Sequence, residues 1–300
     1  MENFKLAFTD NTVFYGKDLE GFYSTALLKG TSKESFKLVG NVKSLAKIAK
    51  FNLGDIVQDA DCTFGEAGSG TLSQKTITAH PFKINLEYCQ RTFEQDYLGD
   101  LLRKGESMPA TVEQYVMEQV ALKVADTLEK AVWQGSGATP NFTAESGLQA
   151  KLLADGSVID VSATTLSQAN IIAQISRVYD AIPATIKDSP ELVIYMGTKA
   201  AAFYRQALAN ASAETYYMQN IGELQFLGVK IIVAAGMSDN RMVAAEASNL
   251  LLITDLMSEF DEISILPQRN VTGVPVVRFV ALDAKFGVDF IYGQEIVYYN

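Results

Sequence analysis

Few residues of this 300-residue chain have the type and spacing that chemistry requires. His80 is the sole histidine, and Pro81 directly after it biases its backbone toward an extended conformation. Ser-His-Asp or Cys-His catalysis would have to run through His80, yet no nucleophile elbow is present. Gly65, Gly68 and Gly70 sit in the stretch FGEAGSGT. No Gly-Lys-Ser/Thr follows, and what comes next reads as strand, where a phosphate loop would open a helix. These glycines are read as a flexible hinge. Gly135-Ser136-Gly137 follows a helix, the wrong end for holding a phosphate. Asp255, Glu259, Asp261 and Glu262 form the densest acidic cluster but lack the oxygen spacing and central glycine of a calcium loop, so a solvated surface is expected. Cys62 and Cys89 have no metal-ligand spacing and are read as two small buried hydrophobes. No catalytic, cofactor or metal site is expected, and no enzyme activity.

Composition narrows the field further. Net charge is −10 and the sequence pI about 4.7, so the chain repels a phosphate backbone on average and tight nonspecific nucleic-acid binding is disfavoured. With 48% hydrophobic residues there is material for a large core. MENFKLAFTD lacks the apolar run of a signal peptide, and no run approaches the length of a membrane span. Secretion through a cleaved signal is therefore not expected.

The strongest periodic signal is Thr111 to Gln134. Val112, Val116, Val120, Val124, Leu128 and Val132 recur every four residues, flanked by Tyr115, Met117, Ala121, Ala125 and Ala131. Glu113, Glu118, Lys123, Asp126, Glu129 and Lys130 fall on the opposite side, which is the pattern of an amphipathic helix. Thr111 with Gln114 fits a capping box, and Gly135 supplies the stop. At 1.5 Å per residue this helix would run roughly 36 Å, long enough to act as a strut.

Around the strut, residues 1–54 read as an arm of short pieces, with a short helix at Lys17 to Leu28. Residues 55–90 read as a long β-hairpin arm: Thr71 to Thr78 is mostly polar, whereas Phe82, Ile84, Leu86 and Tyr88 alternate with polar neighbours. A lone two-stranded ribbon is marginal in water, so this arm is expected to rest on a neighbour. Arg91 to Leu102 reads as a short helix, and residues 136–156, rich in Gly, Ser, Thr and Pro, as a surface loop. Further on, Thr164-Thr165 is expected to cap a helix ending near Pro183, Leu192 to Met196 to be a buried strand, and Thr198 to cap a helix over Lys199 to Asn210. Strands are expected at 228–233, 242–245, 250–253 and 262–266, and Tyr216-Tyr217 suits an interface loop or ordinary packing equally. The last stretch suggests two strands, Val274 to Leu282 and Gly287 to Tyr299, paired through a turn at Ala284-Lys285 and packed on the long helix.

The order of these elements resembles the major capsid proteins of tailed bacteriophages, the Hong Kong 97-type α+β fold. The resemblance covers about residues 41–300 and is carried by VEQYVMEQVALKVADTLEKAVWQGSG, LVIYMGTKAAAFYRQAL, FLGVKIIVAAGM, MVAAEASNLLLITDL and the ending VRFVALDAKFGVDFIYGQEIVYY. It implies an N-terminal arm (1–54), an extended loop lying over an adjacent subunit (55–90), a peripheral domain with the spine helix (91–150), an axial domain (151–270) and C-terminal strands returning to the peripheral domain (271–300). It implies a subunit that self-assembles through hexamers and pentamers into an icosahedral shell around a double-stranded DNA genome. A portal and a scaffolding protein are its implied partners, with only weak DNA contact, no membrane, and a virion location after assembly in the host cytoplasm. An encapsulin-like shell around a protein cargo is the alternative, and an α+β enzyme the more distant one. No long charged scaffolding helix precedes the arm, so either a separate scaffold acts or a segment has been removed. Some relatives crosslink subunits through Lys and Asn; Lys75 falls on the extended loop, but no motif identifies its partner, and that chemistry is not carried over. The residues singled out for assembly are Gly65, Gly68, Gly70, Thr71, Lys75 and Phe82.

Overall fold

The computed structural model describes residues 12–14, 35–40, 42, 44–54, 57, 70–89, 112–139, 141–211, 224–255, 263–267 and 276–300. In chain order the elements are β1 (Thr12–Phe14), β2 (Lys37–Val39), β3 (Leu45–Leu53), β4 (Gly70–Thr78) and β5 (His80–Cys89). Helices α1 (Val112–Gln134) and α2 (Leu148–Ala154) follow, then β6 (Ile159–Val161), α3 (Ile171–Ala181), α4 (Ala184–Lys187), β7 (Leu192–Gly197) and α5 (Thr198–Ala211). The chain closes through β8 (Gln225–Phe226), β9 (Val229–Ala234), β10 (Met242–Glu246), β11 (Leu250–Thr254), β12 (Ile263–Pro267), β13 (Val276–Phe290) and β14 (Val297–Tyr299).

Two six-stranded sheets organise these elements. One has the order β6-β14-β10-β7-β9-β8 and packs α3 and α5 against it; its core joins Ile171, Ile175 and Val178 of α3 to Ile194, Met196, Tyr204 and Ala244. The other runs β1-β12-β13-β11-β2, with β5 on the opposite edge of β13. The long helix packs in a second core that both sheets line: Leu128, Val132 and Trp133 join Tyr195, Val243 and Tyr298 of the first sheet and Leu252, Phe286, Val288 and Phe290 of the second. The C-terminal strands therefore pack with the long helix. A separate two-stranded ribbon pairs β3 with β4 along nine residues each.

Several expectations fail for identifiable reasons. The turn at Ala284-Lys285 does not form, because β13 is one continuous strand in which an irregular register between Ala281 and Ala284 absorbs the extra residues. One edge of β13 pairs first with β12 and then with β11, and β5 runs along the other as far as Phe286, so both halves of the strand have partners without its folding back. Thr164-Thr165 does not cap α3. The Thr164 N–H donates to the Tyr299 hydroxyl instead, and the helix starts after Asn170, whose Oδ1 accepts the Ser167 N–H at 2.8 Å. The hairpin partner of β4 is β3, and β5 leaves the ribbon for the large sheet. Glu129, on the polar side of the helical pattern, is buried because the turn at Gly236 closes over it; a Cβ on Gly236 would lie 2.0 Å from the Glu129 carbonyl oxygen. Cys89 is exposed at the end of β5 and is no core residue. Residues 17–28, 91–102, 216–217, 259–262 and Thr111 lie outside the described residues, as does Cys62.

Candidate assembly surface

The ribbon has two unlike faces, set by the strand period of two. Register pairs Leu45 with Thr78, Lys47 with Thr76, Ala49 with Gln74 and Phe51 with Leu72 on one face. On that face Leu45 at the root is 63% exposed, and Phe51 and Leu72, paired toward the outer end, are 56% and 69% exposed, an apolar stripe that nothing in the described chain covers. The alternate residues point inward. Ile77 is fully buried, and Ala46 and Ile48 pack beside it on Val42, Leu251, Ile253 and Ile291. Backbone contact tightens this root: the Ala79 N–H donates to the Ser44 carbonyl at 2.9 Å, and Gly287 lets β13 pass where a Cβ would come within 2.3 Å of the Thr78 oxygen. The ribbon is therefore anchored at its root and bare beyond it.

Lys75 stands where anchored and bare halves meet. Its Nζ lies 2.8 Å from Asp289 Oδ1 and 3.3 Å from the centroid of the Phe290 ring, so an ion pair and a cation–π contact hold one ammonium. Burial lowers its pKa, against the opposing pull of Asp289 and Asp155. Across the ribbon, Lys50 lies 5.5 Å over the Tyr292 ring. Asp155 is held ionised chiefly by the Ser157 hydroxyl at 2.7 Å and the Ser157 N–H at 3.0 Å, which lower its pKa.

The body to which the ribbon is tied is rigid for reasons the sequence hid. Residues 136–156 are exposed along much of their length but are not only a surface loop: Thr139, Glu145, Gly147, Leu148 and Leu152 are buried, and 148–154 form α2. Glu145 is fully buried there; its Oε1 pairs with Lys151 Nζ at 2.8 Å and accepts the Gly147 N–H at 3.3 Å, while Oε2 accepts the Val288 N–H at 3.3 Å. One carboxylate thus ties the start of α2 to β13, and its own carbonyl accepts the Ser136 N–H just past α1. Gly135, at φ 61°, is required at this crossing, since a Cβ would sit 2.2 Å from the Ser146 carbonyl. Trp133 is fully buried and meets Phe36 and Tyr195 with ring centroids 5.7 and 5.4 Å apart. Tyr195 donates to or accepts from Ser35 Oγ at 2.8 Å, and burial pushes its pKa up to about 12.

Of the residues singled out for assembly, Gly70 and Thr71 lie exposed at the outer end of β4, and Lys75 lies at the root. Phe82 is separate from them. It is half-buried on β5, edge to face with Phe142 at 5.9 Å, in a groove of about 850 Å³ between β5 and α1 lined also by Val124, Leu128, Lys83 and Lys130. Gly65 and Gly68 lie outside the described residues. Sequence reasoning missed Leu45 and Phe51, although the alternation in LAKIAKF carried the signal. His80 is a partly exposed residue of β5 opposite Phe286. Asp255 is less solvated than expected, since its Oδ2 pairs with Lys285 at 2.9 Å. Among the described residues no group of three or more His, Cys, Asp or Glu could hold a metal ion, and no helix is long and apolar enough to cross a membrane.

No protein-family model matches the sequence, and no curated protein matches it either. Solved structures do match the fold. The capsid of a native GTA particle is similar over 92% of this chain and 90% of that one, with a TM-score of 0.60 at 15% identity. The procapsid of satellite phage P4 that includes the size determination protein matches over 94% and 98%, with a TM-score of 0.60 at 10% identity. A virus-like particle from Pyrococcus furiosus matches over 95% and 100%, with a TM-score of 0.52 at 12% identity. The fold is that of shell-forming proteins. More narrowly, it is the capsid fold of tailed phages, the α+β class to which the sequence resemblance pointed.

Proposed function

We propose that this chain is a major capsid protein that assembles through hexamers and pentamers into an icosahedral shell around a double-stranded DNA phage genome. The observation that carries the proposal is the bare outer half of the ribbon. Two strands without further support are marginal, yet β3 and β4 pair over nine residues and present Phe51 and Leu72 to solvent at their outer end. A second copy laid against that stripe supplies the missing partner. Contacts of this kind are heterologous, one patch meeting a different patch on the next copy, and they close rings when the rotation closes. Many modest contacts engaged together make a shell stronger than any one of them.

In this reading residues 1–54 are the N-terminal arm and 55–90 the extended loop. Residues 91–150 form the peripheral domain with α1 as its spine, 151–270 the axial domain, and 271–300 the strands that return to the peripheral domain. Gly65, Gly68 and Gly70 act as hinge, Thr71 lies on the outer part that meets the next copy, Lys75 sets the loop on its root, and Phe82 steadies it against the spine. A portal and a separate scaffolding protein are the partners, the packaged DNA is touched weakly, and the role is structural, not enzymatic. The acidic balance of the chain suits a container that must not adhere to its contents.

A second reading, an encapsulin-like shell around a protein cargo, is supported by the likeness to a virus-like particle across that chain's whole length. Negative-stain microscopy of the expressed chain, alone and with its neighbouring gene products, tests both. Closed shells that recruit a portal support the capsid; shells that hold one enzyme and no portal support the alternative. A solitary 32.7 kDa subunit with catalytic turnover contradicts both.

A further inference from the structure

The root of the ribbon is held in part by a charge taken out of water. Lys75 is 23% exposed and Asp289 10%, and the ammonium rests on Phe290, itself almost wholly buried. The other charged groups facing Lys75 are Asp155, beyond the end of α2, and Lys50 on β3. Glu295, whose pKa is raised by burial and by Glu246, faces Lys50 from the far side. Next to this cluster the root is apolar, with Ile77, Ala46 and Ile48 packed on Leu251 and Ile253. An apolar pair at positions 75 and 289 would continue that packing without a break. A desolvated ion pair is frequently no more stabilising than apolar groups of the same volume, whereas removing one partner leaves a bare buried charge and is strongly destabilising.

We propose that the Lys75–Asp289 pair is a release clasp: it positions the ribbon on its own subunit while holding it there less firmly than an apolar contact would, so that the ribbon can shift from its body to a sister copy. The clasp is a property of the single subunit. Its use in transfer rests on the shell reading above. The direction of the Lys75 pKa agrees with it, because burial outweighs the pull of Asp289. A docked ribbon that lowers this pKa below the ordinary lysine value prefers the neutral amine. Docking therefore tightens as pH rises toward that value, and loosens as pH falls through the lowered one.

The test is hydrogen exchange, read by mass spectrometry on the full chain in its unassembled state, at residues 45–51 and 70–78. Asp289→Asn leaves the ammonium unpaired and should speed exchange there by roughly tenfold or more. The double variant K75M/D289N removes both charges, keeps an acceptor for the Phe290 N–H, and should slow exchange below the wild-type rate. Exchange at 192–197 and 242–246 should stay unchanged in both. If Asp289→Asn does not fold, the wild-type chain decides. Its ribbon exchange, corrected for intrinsic rates, should slow as pH is raised toward the lysine range, and that slope should vanish in K75M/D289N. A double variant that exchanges faster than wild type, or no difference between any of the three, overturns the clasp. Light scattering during assembly separates this from the shell reading. A tightened double variant should form particles several-fold more slowly, and formation at the wild-type rate refutes the transfer role while leaving the capsid intact. A wild-type chain that forms no particles strikes the shell reading, and the clasp is then judged on the exchange rates.

Discussion

Strands β7 and β4 lie in one chain and answer to opposite rules. In β7, LVIYMG, all six residues are buried, with β10 on one side and β9 on the other. In β4, GTLSQKTIT, one residue is buried, and the strand has a single partner. The first region is complete within the subunit: sheet, helices α3 and α5 and an enclosed core. The second is incomplete by design of its pattern, since a buried root and a bare apolar stripe coexist on one ribbon. Stability in such a molecule divides into a part owned by the subunit and a part supplied by copies, and substitutions should sort accordingly.

The largest effect belongs to the interior. Trp133→Ala empties the space between Phe36 and Tyr195 and should cost about 3–5 kcal/mol of subunit stability, read by urea unfolding. Glu145→Gln follows, because it leaves Lys151 without its counter-charge inside the junction; a loss of about 3 kcal/mol is expected, with exchange at Val288 and Gly147 rising together. Phe51→Ser with Leu72→Ser removes the bare stripe. It should leave unfolding within about 0.5 kcal/mol of wild type yet abolish particles in negative stain. Replacing Gly68 and Gly70 by proline should leave the fold intact and reduce the yield of regular shells; normal particles from that variant would refute the hinge. Should the stripe variant unfold the subunit, or Trp133→Ala spare it, the division between the two regions fails.

What could be read from the chain follows the same division. Continuous apolar runs such as LVIYM and LLLI read as buried strands because they are too short for a helix. The four-residue recurrence of Val112 to Val132 marks α1, whose end at Gln134 falls where that pattern and Gly135 place it. Two features were hidden. In residues 136–156 glycine and proline suggested an exposed loop, but Gly147, with Gly135 just before the stretch, lets two backbones touch, and the buried Glu145 carboxylate that ties Gly147 to Val288 shows no pattern in sequence. In β13 the expected turn was absent because neighbouring strands supply partners on both edges, a tertiary fact no local pattern reports. The ribbon was half legible. Its polar outer strand and apolar alternation suggested a hairpin, but the lysines among Leu45 to Leu53 masked β3.

The central claim is that the outer half of the ribbon is completed by a sister copy. Its most direct test is hydrogen exchange at residues 45–51 and 70–74, measured in the unassembled subunit and again in purified particles. Within those segments the outer half is 49–51 with 70–74; the account predicts rapid exchange there in the first and strong protection in the second, with 192–197 protected in both. Equal protection of the ribbon in a subunit that stays solitary at high concentration would contradict it.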